Sequence, residues 1–327
     1  MRFVLTRDAH DFAARTERLL SACLECNVLA TVLMSVMDGA HREPRPMFVY
    51  GQADEASEEA VFAAMRTPPF PLLTSPLGDT SADELLELWL QADADLPTVS
   101  GVPDTARAIA AAWAQHTGGT THCRMSEAMH VLEAVRDPPR PAPGALRLPG
   151  ADERDLLVGW MEAFVDEANL TGAAQAGSMV DARLRRHGLM VWDDGQPVSM
   201  IGLAPRVAGV VRIGPVYTPP PQRRRGYAGS AVAAGSRRAL AAGAERCMLF
   251  TDLANPTSNK IYAEVGYRRI GDWEEIALEL PHRGGTTRRA ATIAPRPTNR
   301  IGDQTTKLIS RAARRRRSRA RLLRPAQ

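Results

Sequence analysis

The chain has 327 residues and a formal net charge of +4, a length that supports two domains, each with its own core. The longest apolar run, near Val28–Met37, falls short of the ~20 residues that a membrane span needs. The N-terminus lacks the basic, apolar and cleavage-site order of a signal peptide, so a soluble cytoplasmic protein is expected. The net charge conceals a split. Residues 283–327 carry thirteen arginines, one lysine and one aspartate, which leaves the rest of the chain acidic.

In the first half, Cys23 and Cys26 form a C-x-x-C within a helix-like stretch. A zinc site would need two more ligands and a redox role a thioredoxin-like context, so two packed helix cysteines and no metal are expected. Met47–Tyr50 and Ala60–Met65 pattern as paired strands. Ser81-Ala82-Asp83-Glu84 has the form of a capping box before an amphipathic helix carrying Leu85, Leu86, Leu88 and Trp89. Pro97–Ser100 reads as a strand, Thr105–His116 as a helix and Cys123–Val135 as another strand. The proline-rich stretch 138–144 reads as a linker between an N-terminal α/β domain, 1–137, and a second domain, 145–281.

Beyond the linker, Asp152–Ala168 has a helical pattern that puts Leu156, Leu157, Trp160 and Phe164 on one face. Leu189–Trp192 and Val198–Ala204 flank Asp194-Gly195, a hairpin turn. Val210–Thr218 is a β-branched strand. Arg223-Arg224-Arg225-Gly226-Tyr227-Ala228-Gly229-Ser230 follows it and opens an Ala-rich helix with no proline until Pro256. Strand, basic glycine turn and helix start make an anion cradle, because first-turn amides have no intrahelical partner and the helix dipole favours negative charge there. Cys247–Thr251 then reads as a buried strand. Asn255 caps the next helix, with Pro256 in its first turn and Gly266 at its end. Asn255, Ser258 or Asn259, and Tyr262 share one face of that helix. A final strand pair occupies Tyr267–Leu280.

The cradle lacks the Lys-Ser or Lys-Thr of a nucleotide P-loop and the glycine spacing of a dinucleotide fingerprint. Arg223–Ala228 instead resembles [QR]-x-x-G-x-[GA], the acyl-coenzyme A signature of the GNAT superfamily of N-acetyltransferases. Asn255–Tyr267 resembles the distal pattern of the same superfamily, N-x-x-[AS]-x-x-[LI]-Y-x-x-x-G-[FY], at the separation that fold requires. The resemblance implies a mixed, mostly antiparallel α/β sheet flanked by helices over 145–281. It implies acetyl-CoA as co-substrate, with no metal. The amides of Arg225, Gly226, Tyr227, Ala228, Gly229 and Ser230 would hold the pyrophosphate, with Arg223 and Arg224 adding charge. Backbone groups of Val216, Tyr217 and Thr218 would pair with the pantetheine, an N–H near Val216 polarising the thioester. Asn255, Ser258 and Asn259 would support CoA or the helix start, and the Tyr262 phenol would protonate the departing thiolate. The order of elements in 1–137 echoes that in 145–281. The whole chain resembles bacterial two-part GNAT proteins whose N-terminal half is a degenerate copy. Without the basic turn, that half is expected not to bind CoA.

The implied reaction is direct attack of a primary amine on the thioester within a ternary complex. Asp166 and Glu167 are candidates for the general base, and the identity of the amine is open. Two other readings remain. One is a non-catalytic acyl-CoA-binding module. The other is a protein acting through the basic tail, whose arginines, without interleaved aromatics, would make a weak, non-specific contact with nucleic acid or an anionic surface. The tail's composition predicts disorder.

Overall fold

The computed structural model describes residues 1–39, 44–54 and 57–281; the basic tail expected over 282–327 lies outside them. Strand β1 (Arg2–Thr6) leads into α1 (Ala9–Ala22), which Asp8 caps by accepting hydrogen bonds from the His10 and Asp11 amides. There follow α2 (Asn27–Met37), β2 (Met47–Gln52), β3 (Ala60–Arg66), β4 (Leu72–Thr74), α3 (Asp83–Ala92), β5 (Thr98–Gly101), α4 (Pro103–Thr117) and β6 (Thr120–Leu132). A second run begins with β7 (Ala145–Arg147), α5 (Arg154–Glu167), α6 (Ala176–Arg185), β8 (Leu189–Asp193) and β9 (Pro197–Leu203). It continues with β10 (Val210–Tyr217), α7 (Tyr227–Ala241), β11 (Arg246–Asp252), α8 (Pro256–Val265) and β12 (Arg268–Glu279). Short 3-10 turns aside, each run reads β α α β β β α β α β. The pairing repeats too. β1 to β4 are successive antiparallel neighbours and β4 pairs with β5 in parallel, as β7 to β10 are antiparallel and β10 pairs with β11 in parallel.

The closing strand of each run sits with the other run. β12 pairs with β5, and β6 pairs with β11. β6 and β12 pair with each other, antiparallel, from Val131 opposite Arg268 to Thr120 opposite Glu279. The result is one mixed sheet of 12 strands in the order β1-β2-β3-β4-β5-β12-β6-β11-β10-β9-β8-β7. Two copies of one fold thus exchange their last strands. Side-chain alternation assigns the helices to faces. Met129 and Val131 of β6 join a core with Phe12 and Leu29 of α1 and α2, whereas Leu132 joins Val232 and Ala239 of α7. Ile276 and Leu278 of β12 pack with Trp89 of α3 and Trp113 of α4. Helices α1, α2, α5 and α6 therefore cover one face, and α3, α4, α7 and α8 the other. Polar contacts secure the exchange. Arg107 of α4 grips Glu274 of β12 through two bonds of 2.9 and 2.6 Å, and the buried Trp273 indole donates to Ser100 Oγ at 2.7 Å.

Several expectations change. Residues 1–281 form a single compact unit, in which the stretches 1–137 and 145–281 are joined through β6 and β12. The final strand pair is one strand, β12. The buried stripe of α5 is Leu157, Met161 and Val165 at i, i+4 and i+8, and Leu156 is exposed, since the sheet lies one residue round from the predicted face. Ser81 and Glu84 form no capping box. The Ser81 hydroxyl accepts from the Asp83 amide and donates to its carboxylate, and α3 begins with no side-chain cap. Cys23 and Cys26 are joined in a disulfide rather than packed apart within a helix, because α1 ends at Ala22 and the turn brings their Cα atoms to 5.1 Å. The linker is held in place, its Pro143 carbonyl accepting from the Trp192 indole at 2.7 Å. Among the described residues no helix is long and apolar enough to cross a membrane.

A fragment of residues 145–281 would lack β6, leaving β11 with an open edge and β12 without its partners. It is expected to show no cooperative thermal transition, while residues 1–281 melt in one; scanning calorimetry checks this.

Candidate active site

β10 and β11 pair only from Val210 to Arg212, opposite Arg246 to Met248. Beyond that point β10 stays with β9, after a register shift between Ile213 and Val216, and β11 stays with β6 out to Asp252 opposite Glu127. The two strands part. Between them lie the facing backbone edges of residues 213–217 and 249–252, to which an extended ligand can add hydrogen bonds as a further strand would. Of the candidate pairing residues, the Tyr217 carbonyl already accepts from Ser199 Oγ at 2.9 Å and the Thr218 carbonyl from Arg223 Nε at 2.8 Å.

Past β10 the chain turns through Arg224 and Gly226, both at positive φ (64° and 86°), into α7. A Cβ at Gly226 would come within 2.9 Å of the Arg140 carbonyl, so this turn requires glycine both for its φ and for the chain packed on it. The first i to i−4 bond of α7 runs from the Ser230 amide to the Gly226 carbonyl, which leaves the Tyr227, Ala228 and Gly229 amides ahead of it as an anion site. The side chains of the turn are more committed than the sequence suggests. Ser230 Oγ accepts from the Ala142 amide at 2.8 Å, and the Tyr227 hydroxyl donates to Asp194 at 2.6 Å. Arg223 binds Glu167 at 2.5 Å and lies 5.6 Å from the Tyr217 ring centroid. Arg224 forms no ion pair among the described residues. Arg140, assigned to the linker in sequence, brings another arginine beside the turn.

α8 is built as its local sequence dictates. Asn255 Oδ1 accepts from the Ser258 amide at 3.1 Å, Pro256 fills the first turn, and Gly266 closes the helix at φ 109°. Asn259 Nδ2 donates to the Asp252 and Asn255 carbonyls at 3.0 and 2.8 Å. Both asparagines are therefore occupied in shaping the helix start. Tyr262 is partly buried, its ring 6.1 Å from that of Tyr267, and burial pushes its phenol up to about 12. Its hydroxyl has no hydrogen-bond partner among the described residues. A protonated, unpartnered phenol can donate a proton.

The carboxylates divide sharply. Glu167 accepts from the Tyr217 hydroxyl at 3.0 Å as well as from Arg223. Asp166 is exposed and lines a shallow outer groove of about 580 Å³ with Glu162 and Ala173. Glu127 of β6 was not a candidate in sequence. It lies opposite Asp252 at the open end of the parted strands, and burial, then repulsion by Glu275 and Asp252, pushes its carboxyl up to about 7. Its only sequence signal is one acid in the middle of a largely uncharged strand, which means nothing until the strand exchange puts β6 beside β11.

A family model, the acetyltransferase (GNAT) family, matches residues 148–267. Solved structures resemble the chain along most of its length. A GCN5-related N-acetyltransferase from Sphaerobacter thermophilus is 19% identical over 85% of this chain and 96% of its own, with a TM-score of 0.54. A GCN5-related N-acetyltransferase from Kribbella flavida is 14% identical over 80% of this chain and 97% of its own, at 0.52. A tandem GNAT protein from the clavulanic acid biosynthesis pathway is 13% identical over 85% of this chain and 98% of its own, at 0.51. These likenesses are of fold, and the last fits the doubled GNAT architecture seen here. No curated protein sequence matches the chain.

The folded chain holds the Glu127 proton to higher pH than the unfolded chain does, so its stability falls as pH rises from about 4.5 to about 7. Glu127→Gln removes that penalty. Its melting temperature is expected to exceed that of the wild type by more at pH 8 than at pH 5, as differential scanning fluorimetry would show.

Proposed function

We propose that the protein transfers an acetyl group from acetyl-CoA to a primary amine, by direct attack within a ternary complex. The observation that carries this reading is the parting of β10 from β11 just before a helix start with a basic turn and free amides. The residues suit the donor. The Tyr227, Ala228 and Gly229 amides would take the pyrophosphate, and Arg224 and Arg140 would add positive charge around it. The inner edge of β10 would take the pantetheine, with the Val216 N–H donating to the thioester carbonyl oxygen as charge develops there. Bound acetyl-CoA supplies an acyl carbon already activated toward an amine. Tyr262, held protonated by burial, would give its proton to the departing sulfur.

The first copy of the fold is not equipped for the same donor. In the matching stretch between β4 and α3 it has Asp79, with Asp83 and Glu84 in the first helical turn, where an anion would be repelled. Thr74 Oγ1 also donates to the Ser100 carbonyl at 3.3 Å, bridging the strands that would have to part.

Acetyl-CoA-dependent thiol release is expected with at least one amine of a broad panel. Tyr262→Phe is expected to lower kcat by ~10²-fold with the KM for acetyl-CoA little changed. Arg224→Ala is expected to raise that KM by ~10-fold or more, since a charge-assisted bond contributes about 1.5–3 kcal/mol. CoA binding by calorimetry without thiol release from any amine would instead indicate a non-catalytic acyl-CoA module.

A further inference from the structure

We propose that Glu127, carried on the strand that the first copy lends to the second, is the general base that takes the proton from the acceptor ammonium. This rests on the transfer reading above and adds the residue on the acceptor side. Glu127 is placed for this role. Glu127 stands in β6 opposite Asp252, at the end of the edge of β11 that faces away from β10's first three residues. By strand alternation its side chain shares the face of Met129 and Val131, the α1 and α2 side of the sheet, while the basic turn opens α7 on the other side. Donor and acceptor would thus meet through the parted strands from opposite faces, as direct transfer requires.

The second observation is the lack of a partner. Glu127 makes no hydrogen bond or ion pair among the described residues, although it is partly buried. Its acidic neighbours are engaged: Glu275 of β12 accepts from Arg124 Nε at 2.8 Å, and Asp252 of β11 from the Ala254 amide at 2.8 Å. Arg212 of β10 is the nearby positive group. Its Nη2 is donated to Thr31 of α2 at 3.0 Å, and its buried Nε has no partner. Helix α2 itself carries no charged residue; Arg183 of α6 is repelled by Arg212 and Arg186, and Arg186, just past α6, is paired with Asp38. Two further carboxylates beside an uncommitted one favour a cation, and the ammonium of a primary amine is that cation. Burial and these neighbours bring Glu127 to about 7, where a base is half-ionised at neutral pH and returns its proton readily. Glu167, tied to Arg223 and Tyr217, is not free to do so.

The proton balance closes. Glu127 removes one proton from the ammonium and passes it to solvent. The freed nitrogen pair forms the C–N bond, the C–S bond breaks, and sulfur takes the Tyr262 proton. The surplus proton on nitrogen returns to the phenolate through water. The net products are an acetamide, a thiol and one proton.

The test compares full-length wild type, Glu127→Gln and Glu127→Asp on an amine that the wild type turns over. Wild type is expected to show a rising limb in kcat/KM with a midpoint near 7. The glutamine variant is expected to lose ~10²-fold and the limb with it, while binding CoA as wild type does. The aspartate variant keeps the limb with part of the rate. Carbon-13 carboxyl NMR should show one glutamate titrating near 7, absent in Glu127→Gln. A glutamine variant that keeps the limb and most of its rate, or no carboxyl titrating above pH 6, overturns the assignment alone. Wild type inert toward every amine overturns the transfer reading, and the base with it.

Discussion

The antiparallel pairing of β6 with β12 holds the centre of the sheet, and the proposed site depends on it. Neither strand can stay in its own copy without breaking a ladder that runs from Val131 opposite Arg268 to Thr120 opposite Glu279. Because the strands cross, β11, which borders the parted strands, has β6 of the other copy along its far edge. The bidentate contact of Arg107 with Glu274 ties α4 of the first copy to the last strand of the second. Buried polar contacts of this kind favour one register over its neighbours, since a slip would strand a carboxylate. The ordering of Glu127, Asp252 and Glu275 follows from that register.

The two copies have diverged in charge rather than in architecture. Where one presents Arg223, Arg224 and Arg225 before its third helix, the other presents Asp79, Asp83 and Glu84. The sign of those residues decides whether the helix dipole meets an anion or a repelling carboxylate. On this account the first copy acts as a scaffold that supplies a strand, and with it a carboxylate. The second holds the donor. Arg223 has a different task from its neighbours. It joins the end of α5 to the end of β10 through Glu167 and Tyr217, fixing the wall of the cleft.

What was legible in the sequence was local. Asn255, Pro256 and Gly266 specify a helix start and stop by their own backbone chemistry, and the structure builds that helix from them. Gly195 at φ 74° makes the hairpin, and Gly226 makes the turn into α7. What was not legible depended on distant partners. Whether Ser230 faces a ligand or the Ala142 amide depends on where a chain segment 88 residues earlier passes. The strand exchange leaves no periodic trace, because β6 and β12 have the same pattern in either arrangement. α6 and the short strands β4 and β7 leave a pattern too short or too polar to stand out in the sequence. The disulfide between Cys23 and Cys26 required a helix end at Ala22 that the apolar pattern ran through.

The most direct test of the account is a crystal structure of the chain with CoA and an amine bound together. The account predicts the pyrophosphate on the Tyr227, Ala228 and Gly229 amides, the thiol between β10 and β11 near Tyr262, and the amine nitrogen within hydrogen-bond distance of Glu127. Pyrophosphate bound elsewhere, or a thiol separated from Glu127 by the intact sheet, would contradict it.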